Sequence, residues 1–371
     1  MAGLADDAPR ARDIGIPFDG TPGPLNAITD VAGVTVGHAT IVRDLGDDKA
    51  VRTGVTAILP RGMETLHRPV FAATFALNGN GEMTGMTWIE ESGFLEGPVM
   101  LTNTHSVGAV FDATIRWRVV RGGPDATGYW WSLPTVAETW DGYLSDINGF
   151  HVNATHVAQA LESATAGPVA EGNVGAGTGT TCYDFKCGIG TSSRIAETAG
   201  GEFTVGVLVQ ANHGDRDTLL IAGLPVGRQS APALAHESGP PHAAQQSSII
   251  IVVATDAPLM PHQLERVAKR AGLGLARTGG MGANSSGDIF IAFSTANEPA
   301  DQVTSGAALT ALANDHITPL FVATALATEE AIINSMIAAR DMTGHLGRTV
   351  EAIDHERVRA ALRTYGRLEE R

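Results

Sequence analysis

The chain of 371 residues is poor in cysteine, in basic side chains and in aromatic rings. Its two cysteines cannot form the disulfide framework of a small secreted scaffold, and no second Cys or His cluster completes a zinc site. The 25 Lys and Arg against 40 Asp and Glu give a net charge of −15, which argues against nucleic acid as a partner. The 12 histidines are scattered and no HExxH motif is present, so we expect neither a metal nor another cofactor.

The cysteines and the N-terminal segment bear on the cellular compartment. Cys182 and Cys187 lie five residues apart in a Gly-rich loop, and we interpret them as free thiols in a reducing cytoplasm. The first residues, MAGLADDAPRARD, lack an apolar core, so no signal peptide is expected. No apolar stretch is expected to reach membrane-spanning length, and residues 1–17 are predicted to form a disordered or loosely docked arm.

The sharpest change of character lies at residues 245–256, QQSSIIIVVATD. Two serines are followed by five β-branched residues, Ile249 to Val253, and such a run predicts a strand buried on both faces. The preceding segment, 229–246, contains three prolines and several Ala, Ser and Gln residues, which is typical of a mobile surface linker. A core strand is therefore predicted to begin where a loose linker ends.

A chain cut at this junction would place Ser247 or Ser248 at the head of a buried strand as a new N-terminal residue. The serine hydroxyl would then be a nucleophile with its own α-amine as general base, as in N-terminal nucleophile (Ntn) hydrolases. Alternatively, the linker joins two ordinary strands and the serines cap the second one. Spacing alone leaves both interpretations open.

The apolar pattern elsewhere predicts mixed strands and helices. Strands are predicted at 31–38, 54–59, 70–77, 99–102, 203–210 and 289–294, and helices at 106–120, 151–163, 261–272, 323–336 and 353–365. Because these do not alternate strictly, the order favours two sheets sandwiched between helix layers over a doubly wound fold.

Residues 172–181, GNVGAGTGTT, form a Gly-rich segment. A phosphate-binding or nicotinamide-binding loop is one interpretation, but no strand precedes the segment and no Lys follows in P-loop register. We favour close approach of the backbone to another element.

Seven blocks, in this order, resemble the DmpA/BapA-type aminopeptidases, the serine members of a self-processing fold that also includes the ornithine acetyltransferases. The resemblance runs from Gly23 to about Ala338. The blocks are GPLNAITDVAGVTVGH (23–38), ALNGNGEMTG (76–85), GPVMLTNTHSVG (97–108), ETWDGYLSDINGFHV (138–152), VQANHG (209–214), SIIIVVATDAPLMPHQL (248–264) and NSSGDIFIAFSTAN (284–297).

The resemblance implies a single domain over 1–371 that is a four-layer αββα sandwich, similar to Ntn hydrolases but with different strand connectivity. It implies self-cleavage before Ser248, between Ser247 and Ser248, into an α-chain 1–247 and a β-chain 248–371 that stay folded together. The matched residues are Ser248 as nucleophile, Ser286 and Asp288 as the pair that polarises it, Asn212 as oxyanion donor, Glu138 as the carboxylate that binds the substrate ammonium, and Trp140 or Tyr143 as a pocket wall.

Each matched polar residue also has an ordinary structural interpretation. Asp288 could be a turn residue, Glu138 an acid at a helix start, and Asn212 a left-handed turn residue before Gly214. Two departures from the family pattern are also present. Some relatives have Glu where Asp288 stands, and some have Gly where Ser247 precedes the scissile bond, so a Cβ there is expected to slow processing.

The resemblance implies an aminopeptidase that releases a small L-, D- or β-residue from short peptides, amides or esters. An acyltransferase is the alternative, although those relatives use threonine where this chain has Ser248. A non-catalytic binding protein whose uncleaved loop blocks its site is a further alternative. The expected partner is a small peptide or amino-acid amide, with no nucleic acid and no membrane, and the expected assembly is a tetramer of α/β heterodimers.

Overall fold

The computed structural model describes residues 8–64, 68–122, 131–229, 248–298 and 306–370. The strands in these ranges are β1 Thr35–Gly46, β2 Lys49–Met63, β3 Val70–Ala76, β4 Phe94–Leu95, β5 Val99–Asn103, β6 Thr135–Thr139, β7 Thr181–Cys182, β8 Phe185–Lys186, β9 Ile189–Thr198, β10 Gly201–Asn212, β11 Ser248–Thr255, β12 Gly287–Ser294, β13 Met342–Thr343 and β14 Thr349–Val350. The helices are α1 Met86–Ser92, α2 Val107–Gly122, α3 Ala154–Glu162, α4 Val226–Gln229, α5 Pro261–Arg277, α6 Thr318–Ile337 and α7 His355–Thr364. Most of the predicted linker and Ser247 lie outside the described residues.

Two sheets stack between two layers of helices. One sheet has the order β1-β2-β5-β6 and the other β4-β3-β12-β11-β10-β9. Apolar side chains from both sheets form the inner core, whereas α2 and α3 cover the outer face of the first sheet, and α5 and α6 cover the outer face of the second. The predicted αββα sandwich is therefore confirmed.

Strand β11 explains why the sequence has a run of β-branched residues. All of its residues are buried. Ile249, Ile251 and Val253 belong to the core under α5 and α6, while the alternating Ile250 and Val252 belong to the core between the sheets. A strand with helices on one face and a second sheet on the other needs apolar residues at every position.

Strand β2 runs through Pro60, where the sequence predicted an end. Strand β1 begins at Thr35, opposite Leu59, so Pro60 lies beyond the last pair of the ladder between these strands. Its missing N–H costs no hydrogen bond there. Residues 31–34, predicted to be part of a strand, instead form the turn that leads into β1.

The Gly-rich segment is a site of close backbone approach, as predicted. A Cβ on Gly177 would lie 2.4 Å from the backbone N of Ile189, and one on Gly179 would lie 2.0 Å from the carbonyl oxygen of Arg52. No other residue could occupy these positions without moving the neighbouring strands.

The N-terminal arm is docked over its described part, so the prediction of a loose arm is wrong for residues 8–17. Ile14 and Ile16 are buried, Arg10 Nε lies 2.7 Å from Glu171 Oε2, and Arg12 Nε lies 2.8 Å from Glu330 Oε1. Each of the two arginines thus forms an ion pair with a buried carboxylate that is far away in sequence.

Helix α6 corrects the expectation about membrane-spanning length. Among the described residues it alone is long and apolar enough to cross a membrane, with 20 residues and a mean hydropathy of 1.4. However, 78% of its apolar window is buried inside the protein. Its apolar character is that of a helix packed on the second sheet.

The prediction that both cysteines are free thiols is wrong. Cys182 and Cys187 form a disulfide across the β7–β8 hairpin, with their Cα atoms 5.7 Å apart. Both residues are fully buried. The expected cytoplasmic location therefore loses the support that free thiols had given it.

Candidate active site

Three strand ends meet at Ser248. Ser248 opens β11 and pairs with Asn212, the last residue of the antiparallel strand β10, and with Gly287, the first residue of the parallel strand β12. The head of β11, the end of β10 and the head of β12 therefore lie side by side at one edge of the sheet.

The Ser248 hydroxyl is held by the backbone of the neighbouring strand. Its Oγ accepts a hydrogen bond from the N–H of Gly287 at 3.2 Å, and the residue is only 4% exposed. A fixed, desolvated hydroxyl at the start of a chain segment is the arrangement that an N-terminal nucleophile needs.

Ser286 and Asp288 form a hydrogen-bonded pair on either side of Gly287. Ser286 Oγ donates to Asp288 Oδ1 at 2.5 Å, and both side chains are buried. Burial raises the pKa of Asp288, and the hydrogen bond from Ser286 partly offsets that rise. Asp288 lies inside β12, paired with Ile249, so the interpretation as a turn residue does not hold.

Asn78 and Asn80 hold this pair in place, and the sequence reasoning missed them. Asn78 Oδ1 accepts from the backbone N–H of Asp288 at 2.8 Å, and Asn78 Nδ2 donates to the carbonyl of Ala283 at 2.9 Å. The N–H of Asn80 donates to the carbonyl of Ser286 at 3.1 Å. Both asparagines lie in one of the blocks that carry the family resemblance, but the pattern Asn-Gly-Asn-Gly indicated only the end of a strand.

Asn212 is oriented by a hydrogen bond to its side-chain oxygen. Asn212 Oδ1 accepts from the N–H of Thr181 at 3.0 Å, so the Nδ2 end of the amide is turned away from Thr181. Asn212 belongs to β10 and is not among the residues with positive φ, so it is not a left-handed turn residue. An amide donor fixed beside a serine Oγ can bind a developing oxyanion.

Glu138 is a buried carboxylate in strand β6, not an acid at a helix start. It is 3% exposed, its Oε1 accepts from the N–H of Glu82 at 3.0 Å, and its Oε2 accepts from the hydroxyl of Thr104. Burial raises the pKa of Glu138, and the hydrogen bond from Thr104 lowers it. A buried carboxylate of this kind gains from binding a cation.

Gly81 links Glu138 to the strand pair that holds Ser248. A Cβ on Gly81 would lie 3.3 Å from Glu138 Oε1 and 3.0 Å from the Cα of Gly287. Gly287 in turn pairs with Ser248. The Glu138 carboxylate and the Gly287 backbone that pairs with Ser248 therefore both lie against Gly81.

The structure separates the two predicted pocket walls. Trp140 follows the end of β6 and is half-buried over Gly142, where a Cβ would lie 2.7 Å from the Trp140 ring. The ring of Tyr143 instead contacts Arg348, whose guanidinium lies 4.9 Å from the ring centre. The assignment of Trp140 or Tyr143 as a pocket wall stays a prediction.

Two buried ionisable groups, Asp141 and Lys186, adjoin the site, and no role was predicted for either of them. Asn103 Nδ2 lies 3.2 Å from each carboxylate oxygen of Asp141, and burial raises the pKa of Asp141 to about 7. Burial lowers the pKa of Lys186 to about 7, an effect that the charge of Asp141 opposes. Neither group was detectable from spacing, because their sequence positions are 45 residues apart.

The raised pKa of Asp141 predicts how stability varies with pH. The Asp141 carboxyl keeps its proton in the folded state, whereas in the unfolded chain it releases the proton near the ordinary pKa of Asp. Its contribution to the free energy of unfolding is therefore present at low pH and is lost between about pH 4 and pH 7. Asparagine does not titrate, so Asp141→Asn does not show this loss. Its free energy of unfolding should therefore rise relative to that of the wild type by on the order of a few kcal/mol as the pH rises through that window. Chemical denaturation at pH 4.5 and pH 7.5 measures the difference, and parallel pH curves would contradict the prediction.

Comparisons with known proteins identify the family of the chain. The profile of Peptidase family S58 matches residues 26–350. The chain is 49% identical over 383 residues to the beta-peptidyl aminopeptidase BapA of Sphingosinicella microcystinivorans, covering 99% of this chain and 96% of that protein. The namesake from Sphingosinicella xenopeptidilytica is 45% identical over 369 residues, covering 94% and 90%.

Solved structures extend the match to the whole fold. The L-aminopeptidase D-Ala-esterase/amidase of Ochrobactrum anthropi, described as a variant among the Ntn hydrolase fold, superposes with a TM-score of 0.89 at 49% identity, covering 97% of this chain and 100% of that one. A beta-aminopeptidase of Burkholderia sp. gives a TM-score of 0.87 at 48% identity, covering 96% and 99%. The named relatives are aminopeptidases, which confirms the aminopeptidase prediction over the acyltransferase and binding-protein alternatives. This chain therefore belongs to peptidase family S58 and is a serine aminopeptidase with an Ntn-hydrolase-like fold.

Proposed function

We propose that the chain cuts itself between Ser247 and Ser248 and that Ser248 is then the nucleophile of the aminopeptidase. The observation that supports this most directly is the position of Ser248, which opens the fully buried strand β11 between Asn212 and Gly287. The α-chain 1–247 and the β-chain 248–371 stay together, because β11 pairs with β10 of the α-chain and with β12 of its own chain.

Self-cleavage is an N→O acyl shift followed by hydrolysis. Ser248 Oγ attacks the carbonyl carbon of Ser247, the C–N bond breaks, and the hydroxyl proton passes to the departing nitrogen. Water then hydrolyses the ester, which leaves a carboxylate on Ser247 and returns the Oγ hydroxyl to Ser248. The nitrogen that was an amide is now a free α-amine.

This amine is the general base of the peptidase reaction. With a pKa near ~8 it is partly deprotonated at neutral pH and takes the proton of Ser248 Oγ as the oxygen adds to the substrate carbonyl. Asn212 donates to the oxyanion, and the Ser286–Asp288 pair helps to polarise the nucleophile. The protonated amine then gives its proton to the leaving amine, and water hydrolyses the acyl-enzyme.

Glu138 selects substrates with a free N-terminal ammonium. Its buried carboxylate lies against Gly81, which also contacts the Gly287 backbone that pairs with Ser248. The relatives are named for β-peptidyl substrates and for D-Ala esters and amides. We accordingly propose that this chain releases small L-, D- or β-residues from peptides, amides and esters.

A panel of p-nitroanilides tests the proposed specificity. We expect p-nitroaniline release from L-alanyl, D-alanyl or β-alanyl anilides and none from N-acetyl-L-alanyl anilide, because acetylation removes the charge that Glu138 binds. Equal turnover of the acetylated compound would contradict the role of Glu138. A processed protein that hydrolyses none of the free-amine compounds would contradict the proposed substrate class.

The residue before the scissile bond is expected to set the rate of self-cleavage. Ser247→Gly should process about 2- to 5-fold faster than the wild type, because glycine lacks the Cβ that restricts the strained geometry of the acyl shift. The 38.5 kDa precursor is followed over time on denaturing gels. Ser247→Ala is the matched control, since it keeps the Cβ, and an equal acceleration in both variants would contradict the prediction.

We also propose that the α/β pairs assemble into a tetramer. Exposed apolar side chains flank the hydrogen bond from Arg118 to Ser132, with Val120 80% and Trp131 54% exposed. Large apolar side chains exposed near each other support a surface that another protein chain covers. Native mass spectrometry of the processed protein measures the assembly, and a single α/β pair would contradict it.

A further inference from the structure

The β7–β8 hairpin and its flanks, residues 177–188, hold the three residues around Asn212. The N–H of Ala211 donates to the carbonyl of Gly188 at 3.1 Å, the N–H of Thr181 donates to Asn212 Oδ1 at 3.0 Å, and the N–H of Tyr183 donates to the carbonyl of His213 at 2.9 Å. The direction of the Asn212 amide therefore depends on the shape of this hairpin segment.

Lys186 lies at the centre of the hairpin segment. Its side chain is fully buried, and Nζ donates to the carbonyl oxygens of Thr180 at 2.9 Å, of Gly177 at 3.4 Å and of Cys187. These carbonyls come from before β7 and after β8, and all three point inward. Without the ammonium they would be buried acceptors that have lost their shared donor.

The Cys182–Cys187 disulfide and the Lys186 ammonium both close the hairpin segment, and they share Cys187. The disulfide joins β7 to the residue that follows β8, and the ammonium binds the carbonyl of that residue together with those of Gly177 and Thr180 before β7. The carbonyl of Thr180, which Lys186 binds, belongs to the same peptide unit as the Thr181 N–H that Asn212 Oδ1 accepts. A change at Nζ is thus transmitted through one rigid peptide plane to the amide of Asn212.

We propose that Lys186 is a positioning residue for the oxyanion donor of this peptidase. It touches no reacting atom, and it fixes the Thr180–Thr181 peptide so that Asn212 presents Nδ2 to the oxyanion. The inference rests on the proposed role of Asn212 and adds the element that sets its direction.

A double-mutant cycle with Lys186→Met and Asn212→Ala tests the proposal, with kcat expressed per mole of β-chain that begins at Ser248. Asn212→Ala is expected to lower kcat by ~10²–10³-fold. Lys186→Met is expected to lower kcat by up to ~10²-fold through misplacement of the donor, with KM little changed. The double variant should be no slower than Asn212→Ala, because a donor that is absent cannot be misplaced.

Two failures are distinguishable in this cycle. If Asn212→Ala leaves kcat unchanged, the proposed role of Asn212 is wrong, whatever Lys186 does. A second failure is that Asn212→Ala lowers kcat but Lys186→Met has no effect on kcat, or lowers kcat by the same factor with and without Asn212. In either case Lys186 does not act through Asn212.

A matched control separates positioning from general destabilisation. Arg194 is another buried cation, paired with Glu330, and it stands opposite Val205, roughly 23 Å along β10 from Asn212. Arg194→Met should lower the melting temperature without lowering kcat of the folded enzyme. Should Lys186→Met fail to fold, Lys186→Gln replaces it in the cycle, since glutamine keeps an N–H donor without the ammonium, and it must lower kcat when Asn212 is present but not in Asn212→Ala for the proposal to hold.

Discussion

Replacement of Ser248 by alanine is expected to leave a single 38.5 kDa chain without aminopeptidase activity. The same Oγ performs both reactions, attacking the carbonyl of Ser247 once and the carbonyl of each substrate afterwards. Loss of the nucleophile in serine peptidases costs about 10⁶-fold in kcat. Denaturing mass spectrometry measures whether the chain is cleaved, and a p-nitroanilide assay measures the aminopeptidase activity.

The neighbouring serine is the control for this variant. Ser247→Ala keeps the Ser248 hydroxyl and its contact with Gly287, so it should still be processed and, once processed, should have wild-type activity. Cleavage of Ser248→Ala before residue 248 would contradict the assignment of Ser248 as the nucleophile. Loss of activity in fully processed Ser247→Ala would contradict it as well.

Replacement of Glu138 by glutamine is expected to lower kcat/KM for free-amine substrates by about 30- to 5,000-fold, the equivalent of about 2–5 kcal/mol. Gln keeps the size of the side chain and an oxygen that can accept from the N–H of Glu82. It removes the buried negative charge, so the substrate ammonium would be desolvated with no ion to pair with. Initial rates on L-alanyl p-nitroanilide measure the loss.

A desamino substrate separates recognition from damage to the fold. Propionyl p-nitroanilide lacks the amine, so the wild type and Glu138→Gln should hydrolyse it equally slowly. Glu82→Gln is the matched control, since its exposed side chain lies next to Glu138 and only its backbone contacts that carboxylate. A Glu138→Gln variant that loses equal activity on both substrates would contradict ammonium binding.

The local sequence pattern was enough to predict the elements around Ser248, because the apolar residues that make these strands buried are consecutive in sequence. The five β-branched residues of β11 face two different cores, and this requires apolar character at every position. The mixed order of strands and helices predicted two sheets sandwiched between helix layers. The choice of Ser248 over Ser247 came from the family resemblance, since both have the same chemistry.

The supports of the site were not predictable, because they join residues far apart in sequence. Asn78 accepts from the N–H of Asp288, 210 positions away, and Arg12 pairs with Glu330 across 318 positions. No periodicity reports such pairs. No role was predicted for Lys186, and only the three carbonyls that converge on it explain why a charged residue is buried there.

The cysteine prediction failed for a similar reason. Two cysteines in a chain of 371 residues indicate thiols by composition, whereas pairing depends on whether their Cα atoms come within bridging distance. The β7–β8 hairpin brings Cys182 and Cys187 to 5.7 Å. A turn between two strands of two residues each could not be predicted from the Gly-rich sequence around it.

The intact mass of the purified wild-type protein under denaturing conditions is the most direct test of self-processing. We expect two fragments, the smaller of which begins at Ser248 and ends at Arg371. Terminal sequencing of that fragment places the nucleophile. A single 38.5 kDa chain that stays intact on long incubation, in a preparation that is active on free-amine anilides, would contradict an N-terminal nucleophile at Ser248.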